Sequence, residues 1–218
     1  MNAKYPDLLS PGKIGNVELR NKTVMAAMGM SQAENGFVNK AVLNHYAERA
    51  KGGVGAIIVE VTCVDSPLGL NTKGMLVIDD DKYIPGMAQL ADVIHEGGSK
   101  AFLQISHTGR GARRKIIGAQ PVGPSAVAMP YSYMMGLANE TPRALTIDEI
   151  KTIEEKYAQA ALRAKKAGFD GASASPEAQM PLTSTERRPK SPGALAEFRL
   201  CQCPSETSEA TGQNRSPI

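Results

Sequence analysis

Tryptophan is absent from this 218-residue chain, and the other aromatic residues are few, six tyrosines and four phenylalanines. The hydrophobic core must therefore be built mainly from alanine, valine, isoleucine, leucine and methionine. No apolar run approaches the length of about 18 residues that a membrane-spanning helix needs. The N-terminal sequence also lacks the apolar stretch of a secretory signal. These absences predict a globular, cytoplasmic protein with no membrane partner.

Charge of one sign is not in excess, since 25 basic residues accompany 22 acidic ones. A nucleic-acid-binding domain usually carries a strongly basic surface, so this balance argues against a nucleic-acid partner. The three cysteines are Cys63, Cys201 and Cys203, and their spacing matches no common metal-binding motif. We therefore expect reduced thiols and no metal site.

Short apolar runs alternate with amphipathic helical patterns between residues 20 and 171. Strands are predicted over residues 23–30, 55–64 and 101–106, and the sequence FDGASA begins a fourth. Ahead of them, a Gly-Asn turn in KIGNVELRN predicts a small hairpin. The strands are continuously apolar, which is typical of a parallel sheet buried on both faces.

Three predicted helices separate these strands. The first begins near Asn39 and ends at Gly52-Gly53, and the second runs from about Asp81 to Glu96. The third opens with a capping box formed by Thr146 and Glu149. Its apolar stripe consists of Ile147, Ile150, Ile153, Tyr157, Ala160 and Ala164. Alternation of this kind predicts an α/β fold of βαβ units, and eight such units form a barrel of about 250 residues.

Two segments depart from this alternation. Residues 107–145 form a long connection rich in glycine and proline. Its larger apolar side chains either cover a ligand or pack back onto their own domain; they are Met129, Tyr131, Tyr133, Met134 and Met135. After Gly171 the chain becomes rich in proline and serine, with Phe198 as its one aromatic residue. We predict disorder over residues 176–218, because such a composition buries too little apolar surface to fold.

Ligands of parallel α/β arrays bind at the carboxyl ends of the strands. The first strand ends in small and polarizable residues, Met25 to Met30, which suit either a flat ring or plain core packing. Gln104 lies in the middle of an apolar strand, where an unpaired buried amide would be costly. Its partner is either the pyrimidine edge of a flavin or nucleobase, or a neighbouring strand.

Four segments occur in order along the chain: LLSPGKIGNVELRNKTVMAAM, HYAERAKGGVGAIIVEVT, FLQISHTGR, and PRALTIDEI followed by AALRAKKAGFDG. Together they resemble the N-terminal half of the Old Yellow Enzyme family. The branch is that of the NADH:flavin oxidoreductases, which includes 2,4-dienoyl-CoA and enoate reductases. Covering residues 5–171, the resemblance implies the first three to four βα units of an incomplete (β/α)8 TIM barrel. We take residues 1–171 as the N-terminal part of such a barrel and residues 172–218 as a separate tail.

The resemblance also implies a chemistry and a set of binding residues. The cofactor would be FMN and the reductant NAD(P)H, with hydride passing to a small-molecule α,β-unsaturated carbonyl compound or to an enoyl or dienoyl thioester. The residues matching the family's flavin contacts are Ala26, Ala27, Met28, Gly29, Val61 and Gln104. Members often carry Thr or Cys at the position of Gly29, where the side chain tunes the flavin. His107 and Arg110 match the family's HxGR turn, a structural element.

The fourth strand of the family is followed by a His pair, or a His and an Asn, and then by a Tyr. These side chains bind the substrate oxygen and deliver a proton. The aligned positions here are Ser175, Ala178 and Met180, so we predict no catalytic residue. Either a frameshift or recombination replaced the family sequence, or the chain is a natural short protein with its own tail. We expect an inactive fragment, or an association module that pairs with another copy through exposed strand edges.

Overall fold

The computed structural model describes residues 4–129, 140–174 and 200–201. The helices are α1 (Pro6–Leu9), α2 (Lys40–Lys51), α3 (Ile84–Glu96), α4 (Arg114–Ile117) and α5 (Ile147–Lys166). The strands before α3 are β1 (Gly12–Ile14), β2 (Val17–Leu19), β3 (Val24–Met25), β4 (Ala56–Cys63) and β5 (Leu76–Val77). Those after it are β6 (Lys100–Ser106), β7 (Val122–Gly123), β8 (Arg143–Ala144), β9 (Gly171–Ala174) and β10 (Leu200–Cys201).

The central sheet confirms the predicted βαβ order. Strands β3, β4, β6 and β9 lie side by side in chain order, and each neighbouring pair is parallel. Helices α2, α3 and α5 make the crossovers between them. The chain order of the strands is that of consecutive βα units in a barrel.

The hairpin and the boundaries of α2 are also as predicted, whereas α3 begins three residues later than predicted because Asp81–Tyr83 form a 3-10 turn. Strands β1 and β2 pair antiparallel, and Leu19 packs with Ala56 and Phe102 at the amino ends of β4 and β6. Asn39 caps α2 by accepting a hydrogen bond from the Val42 amide. The helix ends before Gly53, whose φ of +98° is the left-handed conformation expected of a glycine after a helix.

The main core lies between the sheet and the three long helices. Its helix-borne residues are Val42, Tyr46 and Ala50 of α2, Met87, Leu90, Ala91 and Ile94 of α3, and Ala160 and Ala164 of α5. The capping box of Thr146 and Glu149 is present. The place of Ile147 in the apolar stripe was predicted wrongly, because this side chain is 68% exposed. The side chains of α5 become buried only from Ile153 onward, so the first turn extends past the core.

The first strand is shorter than the predicted run of residues 23–30, since β3 contains only Val24 and Met25. Beyond it the backbone finds a different hydrogen-bond acceptor. The amides of Met30 and Ser31 donate to the side chain of Glu60 instead of to a neighbouring strand. Apolar composition alone could not reveal this, because the acceptor lies on another strand.

The long connection and the tail contain elements that the sequence did not predict. Helix α4 and the parallel pair β7–β8 organise the connection, and a Cβ at Gly111 would lie 3.4 Å from the Met129 side chain. Met129 therefore packs within the connection, whereas Tyr131, Tyr133, Met134 and Met135 lie outside the described residues. Strand β10, in the segment expected to be disordered, pairs antiparallel with β9. An unpaired strand edge can accept such a partner through its backbone alone.

Candidate functional site

The pairing of β4 with β6 contains a β-bulge near the carboxyl ends of the two strands. Val59 of β4 lies opposite Leu103 of β6, and Thr62 lies opposite Ile105. The two intervening residues of β4 therefore face the single residue Gln104. Bulges of this kind redirect side chains and are common beside active sites. Here the bulge brings Val61 and Gln104 together.

The segment after β3 lies against the same place. A Cβ built on Gly29 would stand 3.7 Å from Cγ2 of Val61, which is an ordinary van der Waals contact. Ala26, Met28 and Gly29 are exposed and Ala27 is half-buried. The structure thus places the predicted residues of the segment after β3, of β4 and of β6 near the carboxyl ends of these strands, where Ala26, Met28 and Gly29 face an open surface. Ser175, Ala178 and Met180 lie outside the described residues.

The side-chain amide of Gln104 is half-buried on β6. Ser173 of β9 lies opposite it on one side, and the bulge of β4 lies on the other. Within the described ranges its amide makes no hydrogen bond with either strand. The sequence left two partners open for this amide, a flavin or nucleobase and a neighbouring strand. Within the described residues, the hydrogen bond to a neighbouring strand is not observed.

Glu60, the other residue of the bulge, is only 2% exposed. Its Oε2 accepts hydrogen bonds from the amides of Met30, at 2.6 Å, and Ser31, at 3.2 Å. The Glu60 amide in turn donates to the Tyr46 hydroxyl at 2.9 Å. Burial raises the pKa of the Glu60 carboxyl, and the hydrogen bonds from the Met30 and Ser31 amides oppose the rise. The carboxyl group thus ties the segment after β3 to β4.

A second buried group connects the loops that follow β4 and β6. His107 Nδ1 accepts a hydrogen bond from the Gly109 amide, so in the neutral ring Nε2 carries the hydrogen. Nε2 lies 3.4 Å from Asp65 Oδ2, and the pair does not have the geometry of a hydrogen bond. The His107 amide donates to the Tyr157 hydroxyl at 2.7 Å. These contacts agree with a structural role for the HxGR turn.

Asp65 is held from its other side by Lys156 of α5, whose Nζ lies 2.6 Å from Oδ1. Burial of Asp65 opposes its ionisation, but the contacts with His107 and Lys156 outweigh burial and lower the pKa of the carboxyl. Sequence reasoning missed Asp65 and Tyr157 as partners of His107, and Lys156 as the partner of Asp65. They are distant in sequence, and no local pattern links them.

The remaining reactive groups form no further centre in the parts of the chain that the structure covers. Cys63 is a free, buried thiol, and burial raises its pKa to about 12. No set of three or more His, Cys, Asp or Glu side chains in the described ranges is arranged to hold a metal ion. Nor is any helix of those ranges both long and apolar enough to span a membrane.

Parallel βα units in chain order, with converging residues at the carboxyl edge, define the chain as part of a barrel-type α/β protein. Residues 7–174 match the sequence pattern of the NADH:flavin oxidoreductase / NADH oxidase family, and the chain belongs to this family. FMN is the cofactor that membership implies. The reductants NADH and NADPH appear in the names of relatives, an NADH oxidase and an NADPH dehydrogenase. The sequence-based prediction of the family is confirmed.

Individual relatives give the same result. The chain is 46% identical over 169 residues to an NADH oxidase of Thermoanaerobacter brockii, covering 77% of this chain and 25% of that protein. It is 36% identical over 178 residues to a cinnamate reductase of Clostridium sporogenes, covering 78% and 26%. The solved old yellow enzyme homologue from Zymomonas mobilis superposes with a TM-score of 0.70 at 31% identity, covering 78% of this chain and 48% of that one. The chain thus spans about a quarter of the two curated relatives and about half of the solved one. The predicted fold, the first three to four βα units of a TIM barrel, is confirmed.

Proposed function

We propose that the carboxyl edge of this sheet is the flavin-binding face of an FMN-dependent oxidoreductase. Its reaction transfers hydride from NAD(P)H to an activated alkene in a small molecule. The observation that carries this proposal is the Gln104 amide, which is half-buried, opposite the β4 bulge and without a hydrogen-bonding partner in the described residues. A side-chain amide offers a donor and an acceptor together, which matches the edge of a pyrimidine ring.

The residues at this edge fit the isoalloxazine group. Ala26, Ala27 and Gly29 offer little side-chain bulk, so a flat ring can approach the backbone between β3 and β4. Met28 is 56% exposed and supplies a polarizable thioether for packing on such a ring. Val61 would form the adjoining wall. When bound, FMN supplies the hydride-transfer chemistry, while these residues bind and orient it.

The proposed substrate is an α,β-unsaturated carbonyl compound, or an enoyl or dienoyl thioester. The name of the relative from Clostridium sporogenes supports this class, since cinnamate holds an alkene conjugated to a carboxylate. The positions aligned with the family's proton-donating side chains are Ser175, Ala178 and Met180. None of these is a suitable acid for this step, and we propose that the chain does not complete the reaction alone. We also propose that it acts in the cytoplasm and that residues 172–218 form a separate tail.

A second candidate function is association with another copy of the chain. Strand β3 pairs with β4 on one side only within the described ranges, and Val24 at this edge is 44% exposed. An exposed apolar edge strand offers unpaired backbone groups to another strand. This function belongs to a different class, because it requires neither flavin nor reductant.

Titration of the full chain with FMN, followed by flavin fluorescence, tests the main proposal. We expect saturable binding, and we expect Gln104→Leu to weaken it by about tenfold or more, as removal of a hydrogen-bonding partner does. Gln89→Leu is the matched control, because Gln89 is an exposed amide on α3. Absence of wild-type binding, or equal affinity in the Gln104 variant, would contradict the proposal.

A further inference from the structure

The backbone beyond the proposed flavin platform, which we define as Ala26–Gly29, turns at a conformation that few residues adopt. Ser31 has a φ of +54°, in the left-handed region that is uncommon for residues other than glycine. The amides of Met30 and Ser31 both point to one atom, Oε2 of Glu60. Successive amides around a left-handed residue form a concave nest that binds an anion. Here the anion is a side chain of the protein itself.

We propose that Glu60 is a positioning residue whose carboxylate, seated in the nest of Met30 and Ser31, holds the flavin platform in its receptive conformation. The platform ends one residue before this nest, so a shift of the nest moves Gly29 relative to Val61. The consequence for flavin rests on the function proposed above. The contact between Glu60 and the nest does not.

The surroundings of Glu60 suit a carboxylate held by hydrogen bonds. The side chain forms no ion pair with a Lys, Arg or His among the described residues. The Tyr46 hydroxyl accepts from the Glu60 amide and so fixes the backbone that carries the carboxylate. A buried charge without a counterion is tolerated only when several donors satisfy it. The two amides of the nest provide those donors.

The turn at Ser31 is supported from its other side by the loop between β4 and β5. Ser31 Oγ lies 2.9 Å from Thr72 Oγ1, and the Ala33 amide donates to the Gly74 carbonyl at 2.9 Å. A Cβ at Gly74 would clash with the carbonyl of Ser31. Strained backbone persists where neighbouring structure determines it from several directions, and such places cluster at binding sites.

Amide hydrogen exchange of Met30 and Ser31, measured by NMR on the full chain, tests the anchor without flavin. We expect both amides to be protected in the wild type and in Glu60→Gln, whose side-chain oxygen still accepts them. In Glu60→Leu we expect both amides to exchange about tenfold faster or more, since their shared acceptor Oε2 is removed. Ser31→Gly should keep it, because glycine adopts the same φ without strain. Fast exchange in the wild type, or unchanged protection in Glu60→Leu, would overturn the anchor.

FMN affinity of the same variants tests the positioning role. We expect Glu60→Leu to raise the Kd by about 10- to 100-fold and Glu60→Gln to restore an affinity close to wild type. Ile94→Val is the control for general destabilisation, because Ile94 lies in the core on α3, away from the nest. Should Glu60→Leu fail to fold, Tyr46→Phe replaces it, with a smaller loss of both protection and affinity expected.

The two readouts separate the two proposals. Lost protection with unchanged FMN affinity in Glu60→Leu would overturn positioning and leave the flavin site standing. If the wild type binds no FMN, the proposed function and the positioning role both fail, while the exchange data still decide whether Glu60 anchors the nest. A loss of affinity in Ile94→Val equal to that in Glu60→Leu would also overturn the positioning role.

Discussion

Lys156 donates a 2.6 Å hydrogen bond to Asp65, linking the middle of α5 to the loop after β4 across 91 positions of sequence. The side chain of Asp65 is only 11% exposed, whereas that of Lys156 is 41% exposed. Removing the lysine would therefore leave a mostly buried carboxylate with the His107 ring as its remaining side-chain neighbour among the described residues. This asymmetry makes the pair more than an ordinary surface ion pair.

We expect Lys156→Met to lower the free energy of unfolding by about 1–3 kcal/mol, the cost of leaving a buried acceptor without its donor. Urea unfolding followed by circular dichroism measures the change. The matched control is Lys151→Met on the same helix. Lys151 lies 4.0 Å from an exposed Asp148, so that pair contributes little. Equal effects of the two substitutions would show that the Asp65 contact has no special importance.

The same carboxyl group predicts a dependence of stability on pH. The pKa of Asp65 in the folded chain lies below its ordinary value of 3.8. The folded state therefore binds this proton less tightly than the unfolded state does. The resulting stability is present above the unfolded-state pKa and is lost as the pH falls through the lower, folded-state pKa.

We expect the wild type to lose stability from about pH 4 downward and Asp65→Asn to lose less over the same range. Thermal unfolding at a series of pH values measures both curves. Asp148→Asn is a suitable control, because the side chain of Asp148 is 95% exposed. Parallel curves for the wild type and Asp65→Asn would assign the acid sensitivity to other groups.

Local patterns were sufficient to predict most of the sheet and its helices. The predicted strand over residues 55–64 is observed as Ala56–Cys63, and that over residues 101–106 as Lys100–Ser106. Both are largely apolar runs between glycines or polar turns, and such a run predicts a strand that is buried on both faces. The capping box of α5 is likewise a local signal, because both of its partners lie within one turn.

The candidate site was predicted in part, through the family resemblance and the position of residues at strand ends. Gln104 stands out as an amide in an apolar strand, and the structure places it beside Val61. The role of Glu60 could not be predicted, because its acceptor function depends on a bulge in the register and on a turn 30 positions earlier. Such long-range contacts leave no periodic trace in a single sequence.

The contact of Gly171 with Phe102 leads to a prediction about packing. A Cβ at Gly171 would stand 2.9 Å from Cδ1 and Cε1 of the Phe102 ring, which is only 2% exposed. We expect Gly171→Ala to destabilise the fold by about 1–3 kcal/mol through overpacking. Gly29→Ala is the control, since its new methyl group meets only Val61 at 3.7 Å. Urea unfolding of both variants gives the comparison, and a neutral Gly171→Ala would show that the ring yields easily.

The open edge of β3 predicts concentration-dependent association of the chain. Val24 at this edge is 44% exposed, and β3 has no second strand partner in the described ranges. A lysine on an edge strand opposes edge-to-edge pairing, because docking would bury its charge. We therefore expect Val24→Lys to have a lower sedimentation coefficient than the wild type, close to that of a monomer. Leu162→Lys, which replaces an exposed apolar residue on α5, should leave association unchanged. If the wild type sediments as a monomer at all concentrations, or if both variants dissociate equally, the β3 edge is not the surface of association.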